Sequence, residues 1–224
     1  MVEHDCDARV VADMMHYCRD FLEMPSVVLS WIEDGGCLSH PAGLIGLSLG
    51  FIDDYNTMTI GQDPLVRSLL IEQPATRCSF YCDLHAGQDR AYADYLSRHG
   101  FRYEVDLLLL DDDEPVAILG LLDQQVRSDL SLAKTEALRR FMQQHIRFHP
   151  RIRHQRRRRV MRQRYALTAR EIEIADLVAA GAPNSTIAEL LGIATSTAKT
   201  HLINIMNKLG TDSRIQIGAL VNRM

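Results

Sequence analysis

A short run near the carboxyl end of the chain carries four side chains whose types and spacing could read nucleic-acid bases. Lys199, Thr200, Ile203 and Asn207 recur at intervals of one, three and four residues, so on an α-helix they share one side. They offer an ammonium, a hydroxyl with a methyl, an apolar tip and an amide. Groups of these kinds contact base edges in the major groove. A helix that was merely solvated would rarely expose Ile203, so the pattern predicts a surface for double-stranded DNA.

An apolar stripe on the opposite side of the same segment predicts how this surface is positioned. Ala198, Leu202, Ile205 and Leu209 recur at spacings of four, three and four residues, which is typical of the buried side of a helix. Gly210 follows the last of them and is expected to end the helix. The sequence therefore predicts a helix over about residues 195–209 with a core side and an outer side.

Sequence signals for the beginnings and ends of helices predict three further short helices before and after this one. Thr168-Ala169-Arg170-Glu171 is a capping box, which predicts a helix that begins there. Asn184 or Ser185 is expected to cap a second helix, Thr195 or Ser196 the third, and Ser213 opens a fourth. Four short helices within sixty residues, with Gly192 in the turn between the second and third, predict a helix-turn-helix domain.

Residues 167–214 resemble the LuxR-type DNA-binding domain without a gap. The positions that carry the resemblance are Leu167, Thr168, Arg170, Glu171, Gly181, Ile187, Ala188, Leu191, Thr197, Lys199, His201, Asn204, Ile205, Lys208, Leu209, Gly210, Ser213 and Arg214. The chain departs from the family pattern at Thr186, Ala194 and Ala198, where the family usually has Glu, Ser and Val.

This resemblance implies that the third helix enters the major groove. Lys199, Thr200 and Ile203 then occupy the base-reading positions. Thr197, Asn207 and Lys208 are expected to lie near the DNA backbone.

The segment before this domain mixes helix and strand signals and predicts an α+β domain over residues 1–148. Strands are expected at 26–33 and, as a hairpin with an acidic tip at 111–114, at 101–110 and 115–122. Helices are expected at about 7–23, 63–72, 88–98 and 129–148.

The α+β segment resembles the GAF-like or autoinducer-domain-like sensor domains that precede LuxR-type domains. That resemblance implies a ligand pocket, with Trp31, Tyr55 and Asp63 as its candidate residues. The alternative is structural, with Asp63 as the N-cap before Pro64 and the two aromatic residues in the core. Acyl-homoserine-lactone receptors would also supply several tryptophans around the pocket, whereas Trp31 is the single one here.

Charge is segregated along the chain. Residues 1–148 hold 12 Lys and Arg against 24 Asp and Glu, a net charge of −12, whereas residues 149–224 hold 13 against 5, a net charge of +8. A basic segment attracts nucleic acid, so polyanion binding is expected in the C-terminal third. Eight of the fifteen residues 151–165 are Arg, which predicts a connector at 149–165 that contributes nothing to a core.

Two interpretations of this connector remain open. It could be a solvated linker or helix extension, or Arg156, Arg157, Arg158 and Arg159 could contact phosphates without sequence preference. The LuxR-type domain then spans residues 166–224.

Other classes of protein fit the sequence poorly. A receiver domain needs a lysine that meets the phosphoryl group, and residues 1–148 contain only Lys134, in the last predicted helix. Cys78, Cys82 and His85 lack a fourth ligand, so buried thiols are expected rather than a zinc or redox site. No nucleophile–base pair or phosphate-binding glycine loop is evident, so we expect no catalysis, metal or cofactor. An acidic amino terminus and the lack of an apolar run of about 20 residues predict a cytoplasmic protein that does not contact membranes.

These observations predict a one-component DNA-binding transcriptional regulator with a sensor domain, an Arg-rich connector and a helix-turn-helix domain. We expect a homodimer, paired through Leu220 and Val221 and through the 129–148 helix, with a small-molecule effector of unknown identity. Two alternatives remain at this stage: a metal- or redox-dependent enzyme tethered to DNA, and an Arg-rich binder of RNA or anionic surfaces.

Overall fold

The computed structural model describes residues 2–33, 38–58, 62–72, 77–82 and 89–224. The chain divides into two compact units, Met1–His149 and Pro150–Met224. The elements of the first unit are α1 (Val2–Leu22), β1 (Ser26–Ile32), β2 (Leu38–Ile45), α2 (Leu49–Tyr55), α3 (Pro64–Arg67), a π-helical turn (Ser68–Glu72), β3 (Cys78–Cys82), α4 (Arg90–Arg98), β4 (Tyr103–Asp111), β5 (Glu114–Asp123) and α5 (Leu132–Ile146). The second unit contains α6 (Pro150–Gln163), α7 (Ala169–Ala179), α8 (Asn184–Leu191), α9 (Thr195–Leu209) and α10 (Arg214–Arg223). None of the helices in the described ranges combines the length and hydropathy that a bilayer crossing needs.

The first unit is built on a five-stranded sheet in the order β2-β1-β5-β4-β3, and each neighbouring pair is antiparallel. Asp112 and Asp113 join β4 to β5 with φ angles of 49° and 65°. Positive φ at both central residues is the geometry of a two-residue type I′ hairpin, which aspartate tolerates. The predicted acidic hairpin tip and the predicted α+β class are confirmed.

Helices cover both faces of this sheet. One face packs against α1 and α5. On the other face Leu122 packs against Phe51 and Tyr95, while Leu108 packs against Val66. Because both faces are covered, every residue of β4 is buried.

The second unit has a single core formed by α6 to α10. Its fully or nearly buried members are Met161, Leu167, Ile172, Ile174, Ala175, Val178, Ile187, Ala188, Ala198, Leu202, Ile205, Leu209, Ile217 and Val221. Two expectations were therefore wrong. The Arg-rich segment, expected to contribute nothing to a core, is the helix α6. Its Ile152 and Met161 are both buried, and Met161 belongs to this core. Val221 packs inside its own domain and does not form a surface for a second copy.

The first residues of the helices show which of the predicted N-caps are present in the structure. The capping box of α7 is confirmed: Thr168 accepts from the Glu171 amide, and the Glu171 carboxylate accepts from the Thr168 amide. The N-caps of α8 and α9 are instead Pro183 and Ala194, and no side chain caps either helix. The predicted capping residues of these two helices lie inside the first turn, since each helix begins one or two residues earlier than expected.

Candidate nucleic-acid interface and ligand cavity

The turn between α8 and α9 sets the position of α9. Gly192 ends α8 in the left-handed conformation with φ 63°, and α9 begins three residues later, after Ala194. The predicted apolar stripe of α9 is confirmed, since Ala198, Leu202, Ile205 and Leu209 are all buried. This stripe seats α9 on the core and leaves its other side in solvent.

The solvent side of α9 carries the four side chains that the sequence singled out. Lys199, Thr200, Ile203 and Asn207 are all exposed, and Ile203 retains 54% of its surface. The Thr200 hydroxyl donates to the carbonyl of Ser196 at 3.1 Å, which fixes the side chain along the helix. The sequence of α9 contains no acidic residue, so this side presents cationic, polar and apolar groups without a negative charge.

Lys208 belongs to a different arrangement. Its ammonium donates to the Glu171 carboxylate at 2.6 Å and to the Ala166 carbonyl at 3.0 Å. Burial alone would raise the pKa of Glu171, but the bonds from Lys208 and Thr168 outweigh it and hold that pKa below its ordinary value. Lys208 therefore ties α9 to the start of α7, and its predicted contact with the DNA backbone stays a prediction.

The Arg-rich helix α6 is also tied to its own unit. The Arg157 guanidinium lies 2.9 Å from the Asp176 carboxylate of α7, and 23% of the Arg157 side chain is exposed. Of the four arginines predicted to contact phosphate, Arg157 is thus committed to an internal ion pair.

A cavity of about 70 Å³ lies in the first unit between the sheet and helices α2 to α4. Tyr55 and Asp63 line it, as the sequence predicted. Trp31 does not, because it lies on the opposite face of β1, where its ring is 4.9 Å from that of His149. Asp63 is also the N-cap of α3, which confirms the structural interpretation, and its role in binding a ligand stays a prediction.

Three buried carboxyl groups converge on the cavity. Asp63 accepts from the backbone amides of Leu65 and Val66 and from the Tyr55 hydroxyl at 2.7 Å. Glu104 accepts from the hydroxyl of Tyr92. Asp106 lies two residues farther along β4 on the same face.

Burial raises the pKa of two of these carboxyl groups, Glu104 and Asp106. Desolvation and the repulsion from Asp63 raise the pKa of Glu104 to about 8. Desolvation and the repulsion from Glu104 raise the pKa of Asp106 well above its ordinary value. Sequence reasoning missed Glu104, Asp106 and Tyr92. The available signal was the alternation of two acids with apolar residues in FRYEVDLLLL.

The cysteine cluster is not assembled into a described site. Cys78 is buried, and desolvation raises its pKa to about 12. The side chain of Cys82 and the whole of His85 lie outside the described residues. Within the described part of the chain, no group of His, Cys, Asp and Glu could hold a metal ion.

Comparison with known proteins identifies the second unit. Residues 165–221 match the family model GerE, the bacterial regulatory proteins of the luxR family. They form a LuxR-family domain. Over 58 residues the chain is 43% identical to the transcriptional regulatory protein LiaR of Bacillus subtilis, a match that covers 26% of this chain and 28% of LiaR. Over 44 residues it is 52% identical to the transcriptional regulatory protein MctR of Rhizobium johnstonii, covering 20% of this chain and 21% of MctR. The chain thus spans less than a third of either relative.

Solved structures extend the likeness to the first unit. A crystal structure of Escherichia coli SdiA has a TM-score of 0.50 at 17% identity and covers 95% of this chain and 88% of that one. The GAF domain/HD domain protein of Geobacter sulfurreducens has a TM-score of 0.50 at 13% identity and covers 62% of this chain and 88% of that one. At these identities the likeness is one of fold. The first unit therefore has a GAF-like fold before the LuxR-family domain.

Proposed function

We propose that this chain is a DNA-binding transcriptional regulator that inserts α9 into the major groove. The observation that carries the proposal is the solvent side of α9, where Ile203 is 54% exposed beside Lys199 in a LuxR-family domain. An exposed isoleucine costs free energy in water, and contact with a thymine methyl would remove that cost. Lys199 and Thr200 supply the polar contacts to base edges.

Contacts to the DNA backbone would fix α9 in the groove. Thr197 and Asn207 are exposed at the two ends of the reading side. The first turn of α9 has no side-chain cap, so its amide groups are free to donate to a phosphate. Lys208, an exposed residue, supports this surface by holding α9 to α7.

Control of DNA binding would reside in the first unit. SdiA, whose fold is similar, has been crystallised in complex with octanoyl-rac-glycerol. The cavity beneath α2 to α4 gives this chain an internal space for a small effector. The net charge of −12 on residues 1–148 repels DNA, which leaves DNA contact to the basic second unit.

A second copy of the chain would complete the regulator. An aromatic stripe, formed by Tyr17, Phe21 and Phe141, lies on the exposed side of α1 and α5. The rings of Tyr17 and Phe141 are 4.8 Å apart and those of Tyr17 and Phe21 are 5.8 Å apart, so the stripe is continuous. Its three members are 38% to 44% exposed. Apolar surface of this kind is buried when two copies pair.

The test uses the full chain and an operator selected from random duplexes. We expect Lys199→Ala to weaken binding to the selected duplex by about 1–3 kcal/mol, roughly 5- to 150-fold, because a base contact is lost. Arg223→Ala removes an exposed cation of the same domain from α10 and should leave the preference for that duplex unchanged. Fluorescence anisotropy on the selected and a scrambled duplex measures both effects.

Two results would overturn the proposal. An unchanged affinity and preference in correctly folded Lys199→Ala would remove the recognition helix. Equal binding to all duplexes and to RNA would identify an Arg-rich binder of polyanions instead.

A further inference from the structure

We propose that the cavity of the first unit binds a small organic cation through a primary ammonium group, held between Asp106 and Glu104. The inference rests on the proposed function, in which this cavity is the effector site, and it names the chemical class of the effector. It is carried by the shape of the cavity, by an unpartnered carboxyl group and by the charge of the lining.

The shape is set by Gly120. This residue lies on β5 opposite Asp106 of β4 and Val28 of β1. A Cβ atom at Gly120 would lie 3.0 Å from Oδ1 of Asp106, 3.4 Å from Oε1 of Glu104 and 2.9 Å from the Val28 side chain. Both carboxyl groups therefore face the space that the missing side chain leaves open. A larger residue at this position would fill it.

Asp106 is the unsatisfied member of the cluster. The other two carboxyl groups accept from tyrosine hydroxyls, and Asp63 also accepts from two backbone amides. Asp106 is 3% exposed and lines the cavity, yet its carboxyl group bonds to none of the described residues. Buried polar groups in proteins almost always have a partner, so a ligand is the expected partner here.

The acidic groups of the lining favour a cation, which binds as they release their protons. Asp63, Glu104 and Asp106 line the cavity together, and the described lining residues include no Lys, Arg or His. The guanidinium of Arg67 attracts Asp63 but is engaged by Glu72 at 2.8 Å and Asp89 at 3.2 Å. A buried acidic cluster is stabilised by an opposite charge, and a ligand can bring it.

The remaining walls favour an organic cation over a metal ion. Phe51, Ile52, Val66 and Ile118 are among the lining residues, so most of a bound molecule would meet apolar atoms. The described residues contain no group able to hold a metal. A volume of about 70 Å³ has room for roughly five water-sized groups, which suits a short alkyl amine.

Protonation gives the binding reaction a signature. Because the pKa of Glu104 is raised to about 8, this carboxyl group of the empty cavity holds its proton at neutral pH. An ammonium needs the ionised carboxylates, so its binding must release protons to the buffer. The other titratable groups near the cluster are the hydroxyls of Tyr55, Tyr92 and Tyr95, the carboxyl group of Asp63 and the guanidinium of Arg67.

The experiment is calorimetric titration of the full chain, without DNA, with 1,4-diaminobutane, butylamine and 1-butanol. We expect both amines to bind, with an apparent enthalpy that changes with the ionisation enthalpy of the buffer, and 1-butanol not to bind. Asp106→Asn, which keeps the side-chain shape, should weaken amine binding at least tenfold. Gly120→Ala, which keeps every carboxyl group, should also weaken it. Asp94→Asn removes an exposed carboxylate outside the cluster and should have no effect.

Several results would overturn the inference: failure of both amines to bind, binding of 1-butanol as tight as that of butylamine, or unchanged amine binding by Asp106→Asn. Since the titration contains no DNA, it is independent of the Lys199→Ala test. Amine binding by a chain that fails that test would keep this inference and remove the proposed regulator. If Lys199→Ala weakens DNA binding as expected but the chain binds no amine, the proposed regulator is kept and this inference is removed.

Discussion

Glu171 connects the two ends of the helix-turn-helix fold through one carboxylate. It accepts from the amide of Thr168 at the start of α7 and from the ammonium of Lys208 near the end of α9. The residue is only 4% exposed, so the charge depends on these donors in place of water. Removing one donor leaves a buried charge partly unsatisfied.

We expect Lys208→Met to destabilise the second unit by about 1–3 kcal/mol at neutral pH. Urea unfolding followed by far-ultraviolet circular dichroism measures the loss. The fluorescence of Trp31, the single tryptophan, reports on the first unit and should be unchanged. Lys199→Met, an exposed lysine of the same helix, serves as the control.

The pH dependence of this effect follows from the lowered pKa of Glu171. A carboxyl group whose pKa is lower in the folded state contributes stability above its unfolded pKa and loses it as pH falls through the folded value. The difference between the wild-type chain and Lys208→Met should therefore shrink below about pH 4.5. A difference that persists in acid would contradict the ion pair.

The contribution of Glu104 to stability depends on pH in the opposite direction from that of Glu171. The pKa of Glu104 rises from 4.5 to about 8 in the folded chain, so the folded state binds the extra proton between these values. The contribution of Glu104 to the stability of the first unit is then most favourable below pH 4.5 and falls as pH rises toward 8. We expect Glu104→Gln to flatten this profile and to stabilise the unit at pH 8 by more than about 1 kcal/mol. Urea unfolding followed by Trp31 fluorescence from pH 5 to 8 measures it, and an unchanged profile would contradict it.

At the level of helices and strands, the sequence predicted what depends on local spacing. The stripe of α9, the capping box at Thr168 and the hairpin tip at Asp112 are all patterns confined to a few neighbouring residues. Each pattern fixes its own element whatever surrounds it. The exposure of Lys199 and Ile203 could be predicted from the buried stripe of α9, since a helix with one buried side must expose the other.

Features that depend on packing between distant segments were missed. Glu104 and Asp106 alternate with Val105 and Leu107, a pattern typical of a strand with one solvated face. They are buried because helices far away in sequence cover that face of the sheet. Trp31 was predicted to line the pocket but does not line the cavity, for a related reason. The face of a strand that meets a cavity depends on register, which its own sequence does not show.

The Arg-rich helix gives a test at this scale. Met161 is fully buried in the core of the second unit, so Met161→Ala should destabilise that unit by about 2–5 kcal/mol. Gln163→Ala changes an exposed residue at the end of the same helix and should have little effect. Urea unfolding followed by circular dichroism compares the two. If Met161→Ala matched its control, residues 150–163 would be the solvated linker that their composition suggests.

At the scale of the whole molecule, the selection of a DNA site depends on how many recognition helices contact it. A single recognition helix contacts only a few base pairs, whereas a two-fold pair reads two half-sites about one helical turn apart. The aromatic stripe provides a surface for such pairing in the first unit, and Val221 is unavailable because it is buried in its own core. The operator should therefore be roughly palindromic.

We expect the full chain to sediment as a dimer and Tyr17→Glu to sediment as a monomer, because Tyr17 joins the two halves of the aromatic stripe. Tethering through the first unit raises the effective concentration of the second recognition helix. Loss of pairing should therefore weaken binding to the whole operator by roughly 10²-fold or more and leave binding to a half operator unchanged.

Ile71→Glu places the same charge on another residue of the first unit, 61% exposed, and is the matched control. Trp31 fluorescence verifies that both variants remain folded. A wild-type monomer that binds one half-site as tightly as two would exclude the paired arrangement, since avidity demands that both half-sites be engaged at once.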